Sequence, residues 1–101
     1  MIRLELRNKE GQKVVHEQDY VSGRKVREAF EMMDKFESGE VAKEADALDI
    51  KVNFVASVFD DKAVTVDTIY DGIEGPQLLG ELNRVVNEVL GGEKKDVAAE
   101  K

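Results

Sequence analysis

The stretch Tyr20–Glu40, YVSGRKVREAFEMMDKFESGE, constrains the fold of this chain more than any other. Val26, Ala29, Phe30, Met33 and Phe36 recur at the spacing of one face of a helix with 3.6 residues per turn. Met32 sits at the edge of that stripe, and Arg24, Arg27, Glu28, Glu31, Asp34 and Lys35 lie mostly off it. Ser22 suits the N-cap, because its hydroxyl can accept from one of the first free backbone N–H groups. Gly39 suits the stop, because glycine takes the left-handed conformation that often ends a helix. The spacing therefore predicts a helix from about residue 23 to Ser38, with the rest of the chain packed on it.

Before this helix, MIRLEL alternates: Ile2, Leu4 and Leu6 on one face, Arg3 and Glu5 on the other, the pattern of a half-buried strand. Asn8 to Gln12 read as a turn, with Asn8 and Gly11 suited to unusual backbone angles. Lys13–Tyr20 then forms a second strand and closes a β-hairpin, with Val15 expected inward and Val14 and His16 on the opposite face. A two-stranded hairpin is marginal by itself and needs a helix over its apolar face.

After Gly39, Ala45, Leu48, Val52, Val55 and Phe59 step by three and four residues, and Val41 extends the stripe. Residues 40–59 therefore read as a second helical region, although Ile50–Phe59 is rich enough in β-branched and aromatic residues to suit a strand. Asp60-Asp61-Lys62 is a polar break. Thr65 or Asp67 can cap a short helix through Thr68, Ile69 and Tyr70, ended by Gly72. Gly75-Pro76 opens a last helix whose apolar face is Leu78, Leu79, Leu82, Val85, Val86 and Val89, with Gly91-Gly92 as its end. The expected fold class is α+β: an N-terminal β-hairpin packed on three to four α-helices. Residues 1–92 are expected to form a single globular domain and 93–101, EKKDVAAEK, a flexible tail.

Function enters through what the composition excludes. A net charge of −7 argues against nucleic acid and against anionic membranes as partners. With no Cys, disulfides and thiolate metal sites are ruled out. The first ten residues carry charges inside their apolar pattern, unlike a signal peptide, and no apolar run nears the roughly 20 residues of a membrane span. A cytoplasmic location is the simplest expectation. His16 has no partner at ligand spacing and is expected at the surface. Ser22, Ser38 and Ser57 lack a nucleophile-elbow context, and Val21–Lys25 lacks the glycine spacing of a phosphate loop. Asp60-Asp61 and Asp67…Asp71 lack the alternating ligands of a calcium loop. Without a catalytic constellation, and with no cofactor or metal expected, a binding module is the better reading than an enzyme.

Two blocks carry a resemblance: Asp19–Ala29 with Lys35-Phe36-Glu37, and Val55–Phe59 followed by Val64–Ile73, with the closing helix to Gly92 also in keeping. Their order is similar to that of the tail assembly chaperones of long-tailed phages (siphophages) of Gram-positive hosts. The resemblance covers nearly the whole chain to about residue 92 and contains no chemically diagnostic motif. It implies a non-enzymatic role in the host cytoplasm: binding the tape measure protein and keeping it soluble until tail tube protein polymerises around it. Many such families also make a longer frameshifted form, and Glu93-Lys94-Lys95 is compatible with a slippery codon run, but the tail after Gly92 carries no family pattern. The expected partners are the tape measure and tail tube proteins, with self-association as a further possibility. Arg24, Arg27, Phe30, Met33 and Phe36 are the candidate partner-binding residues. The competing reading is a small acidic inhibitor or antitoxin-like protein that blocks a basic surface by charge, whose binding would weaken steeply with salt.

Overall fold

The computed structural model describes residues 1–91, so Gly92 and the expected tail lie outside the described residues. The chain begins with strand β1 (Ile2–Arg7), which pairs antiparallel with β2 (Lys13–Gln18). Four helices follow: α1 (Gly23–Glu37), α2 (Glu44–Val58), α3 (Val66–Gly72) and α4 (Gly75–Val89). The architecture is the expected α+β arrangement, a hairpin followed by helices.

The hairpin turn is built by Asn8. Its Oδ1 accepts from the backbone N–H of Glu10 at 3.0 Å and of Gln12 at 2.9 Å. Gly11 completes the turn at φ +84°, where a side chain would be strained. The register then sets Leu6 opposite Val14, Leu4 opposite His16 and Ile2 opposite Gln18. Directly opposed residues share a sheet face. The inward face of β2 is therefore Val14, His16 and Gln18. His16 and Gln18 are buried and Val15 is exposed, so the expectation of an inward Val15 and a surface His16 is reversed.

Burying two polar side chains demands partners, and the loop after α2 supplies them. His16 Nδ1 donates to Asp61 Oδ2 at 2.8 Å. Gln18 uses both ends of its amide: Nε2 donates to the Tyr20 carbonyl and to Asp60 Oδ2, and Oε1 accepts from the Asp60 N–H at 2.9 Å. The hydrogen bond from His16, and another from the Ala63 N–H, hold the Asp61 carboxyl below the usual carboxylate range.

Ile2, Leu4 and Leu6 face α3 and α4, and α2 packs on α1, α3 and α4. The centre of the core is Leu4, Val52, Val55, Ile69, Leu82 and Val85. Ile50–Val58 is helix, not strand: the spacing of three and four outweighs the β-branched composition because this helix buries Val52, Phe54, Val55 and Val58. It starts at Glu44 rather than near 40, which leaves Val41 outside it and Ala45 exposed.

Helix ends follow the sequence signals in part. Ser22 occupies the N-cap of α1, but its side chain makes no cap bond; the Ser22 carbonyl accepts from the Lys25 N–H instead. Gly39, at φ +81°, follows α1 as expected. Thr65 caps α3 in a reciprocal box with Thr68: Thr68 N–H donates to Thr65 Oγ1 at 3.1 Å and Thr65 N–H to Thr68 Oγ1 at 2.8 Å. Gly72 ends α3 for a different reason from the expected one. A Cβ there would lie 3.0 Å from the Arg7 carbonyl oxygen and 3.0 Å from Leu6 Cβ, so the residue permits contact between α3 and β1. The Tyr70 hydroxyl hydrogen-bonds to Asp49, joining α3 to α2; burial and this carboxylate push the phenol pKa up to about 12. Arg84 of α4 donates to the Arg3 carbonyl at 2.8 Å and pairs with Glu81 and Glu88, tying α4 to β1. On α4, Leu82, Val85, Val86 and Val89 are buried, whereas Leu79, expected on the apolar face, is exposed.

Candidate functional site

The five candidate residues all lie on α1, but they do not form one face. The buried residues of α1 are Ala29 and Met32, with Phe36 packed against the same core. Lys25 joins this side: its Nζ donates to Ser57 Oγ on α2 at 3.1 Å and to Glu28 at 2.9 Å. The contact stripe of α1 is thus rotated from the expected one toward Met32 by about half a residue step. Phe36 sits under the ammonium of Lys51, 5.7 Å from the ring centroid, which fixes it between α1 and α2.

The rotation turns Phe30 outward. Its side chain is 53% exposed. Val26 and Met33, four residues before it and three after, are half-buried and flank it on the helix surface. Together they form an apolar ridge, with Arg27 and Asp34 beside it on the polar side. Arg27 Nη2 approaches Glu31 Oε2 at 3.4 Å, and both side chains are largely in solvent. Such a pair is worth under about 1 kcal/mol, so its charges remain available to a partner. Arg24 is also exposed, one turn earlier. The structure therefore groups Arg24, Arg27, Phe30 and Met33 on accessible surface and separates Phe36 from them.

The family model described as phage tail chaperone protein matches residues 1–101. The chain belongs to this family. No curated protein and no solved structure matches it. A phage tail chaperone has tail proteins as its partners. Among the described residues no cluster of three or more His, Cys, Asp or Glu side chains could hold a metal ion, and no helix is long and apolar enough to cross a membrane.

Sequence reasoning missed a second accessible feature of this tail chaperone, at the turn end of the hairpin. Val14 is inward by register yet remains 38% exposed, where it lines a cleft with Ala63 and with Thr68 and Asp71 of α3. The signal was present: once Leu6 is inward and Asn8–Gln12 is the turn, antiparallel pairing places Val14 opposite Leu6.

Proposed function

We propose that this chain is a non-enzymatic tail assembly chaperone of long-tailed phages of Gram-positive hosts, acting in the host cytoplasm. It binds the tape measure protein and holds it soluble until tail tube protein polymerises around it. The observation that supports this reading is Phe30, an aromatic side chain held half in solvent on the ridge between Val26 and Met33. A long helical protein awaiting its tube exposes apolar stripes. A ridge of this kind buries them, and Arg24 and Arg27 beside it meet carboxylates on the bound helix. Met33 adapts its shape to successive stripes. Phe36 acts from beneath by fixing α1 on α2. The net charge of −7 keeps the complex dispersed. Competition from the tube protein for the same stripes releases the chaperone without nucleotide hydrolysis.

The test is co-production with the tape measure protein of the same phage, scored by the soluble fraction. Wild type should keep that protein in solution. Phe30→Asp and Met33→Asp, checked for native circular dichroism, should bind it roughly ten- to a hundredfold more weakly, since burying such a side chain is worth about 1.5–3 kcal/mol. If the variants fold and hold the protein as well as wild type does, α1 is not the binding surface. A tape measure protein that precipitates regardless of this chain removes the function itself.

A further inference from the structure

The turn end of the hairpin carries a concentration of positive charge that the fold itself does not use. Arg7 stands directly opposite Lys13 across the strands, and like charges in that position destabilise a hairpin. Lys9 lies in the intervening turn. Among the described residues none of these cations has a carboxylate within 4.0 Å, whereas Arg3, Lys25, Arg27 and Arg84 all do. The chain holds 22 acidic residues against 15 Lys and Arg, so acids to relieve the repulsion are abundant. Lys13 and Arg7 line a polar cleft with Glu5, Asp71, Glu74 and Glu81, while Arg7 and Lys9 border a second cleft, of about 380 Å³, between the hairpin and α3. Leu6, Val14 and Ala63 give it an apolar lining, Arg7 and Lys9 open onto it, and Asp71 is the single carboxylate among its lining residues. An uncovered apolar cleft bordered by two cations and one carboxylate is what a recognition site looks like before its ligand arrives.

We infer that this cleft receives an apolar side chain from a partner segment whose neighbouring carboxylates meet Arg7 and Lys9. The inference rests on the function proposed above, in which that segment belongs to the tape measure protein. The cleft lies at the turn end of the hairpin and is lined by no residue of α1, so it is a second contact, distinct from the Phe30 ridge. The apolar side chain supplies burial. The carboxylates pair with Arg7 and Lys9 and select acidic segments over basic ones.

The experiment titrates the full chain, labelled with ¹⁵N, with overlapping synthetic peptides that span the tape measure protein. Peptides combining acidic and apolar residues should bind and shift the amides of Val14, Ala63 and Thr68. The double variant Arg7→Glu/Lys9→Glu should weaken that binding about tenfold or more, and Val14→Asp should do the same. Arg7 and Lys9 are exposed, so the double variant keeps the fold even if Val14→Asp does not. Binding should also fall between low salt and about 0.3 M salt, where exposed charges are screened. Unchanged affinity in the double variant, or a preference for basic peptides, overturns the cleft assignment while leaving the chaperone function standing if wild type still holds the whole tape measure protein in solution. If no peptide binds and that protein precipitates beside wild type, the function and the cleft's partner fall together.

Discussion

At Gly72 the close approach of α3 to β1 leaves no room for a methyl group. Two of the three nearest atoms belong to the backbone of Arg7, which cannot swing aside like a flexible side chain. Gly72→Ala should therefore cost about 1–3 kcal/mol, a drop in melting temperature on the order of 5–20 °C for a chain of this size. Gly80 offers the opposite case. It lies inside α4 with open space around it, and Gly80→Ala should raise stability by roughly 0.5–1 kcal/mol. Thermal melts of the two variants beside wild type check both. Asp61 gives a pH-dependent case. Its carboxyl titrates lower in the folded chain than in the unfolded one, so it contributes stability above the ordinary aspartate range and loses it as pH falls through the folded value. Asp61→Asn keeps only one acceptor oxygen for the two donors, His16 and Ala63. The variant should melt below wild type at neutral pH, and the gap should close below about pH 4. A gap that persists unchanged in strong acid would mean that the carboxylate charge is not what holds the loop to β2.

Elements were legible in the sequence where one periodicity ruled, and less so where two faces competed. The strand β1 and the helices α3 and α4 follow from alternation, a Thr cap and a Pro at the first turn. The rotation of α1 was not legible, because Val26, Phe30 and Met33 make as good a stripe as Ala29, Met32 and Phe36. The choice between them is made by α2, which offers Ser57 to Lys25 and Lys51 to Phe36. In β2, hydropathy alone misassigns Val15, since the inward His16 and Gln18 are tolerated only because Asp60 and Asp61 stand ready to bond them. The candidate site was legible as a helix but not as a face, and the cleft at the hairpin end was hidden by the same ambiguity in β2. On α4 the boundary between core and surface runs between Leu79 and Leu82. Leu82→Ala should destabilise by about 2–5 kcal/mol, and Leu79→Ala by no more than about 0.5 kcal/mol. Urea unfolding curves distinguish them; equal losses would place Leu79 against the core after all.

The molecule as a whole is held by contacts between segments far apart in the chain. β1 packs on α3 and α4, and the β2 side chains bond the loop after α2. Such interlocking predicts one cooperative transition. In urea, far-ultraviolet circular dichroism, which reads the helices, and tyrosine fluorescence of a Tyr20→Phe variant, which reads Tyr70 at the α2–α3 joint, should give superimposable curves. Separate midpoints would mean that the α2–α3 joint opens independently of the rest of the helical layer. The bond from Arg84 to the Arg3 carbonyl joins residues 81 apart in sequence. Synthesis proceeds from the N-terminus, so Ile2, Leu4 and Leu6 leave the ribosome long before α3 and α4 exist to cover them. For most of its own translation, the nascent chain trails an uncovered apolar strand, and its final shape closes only when nearly all of it has emerged.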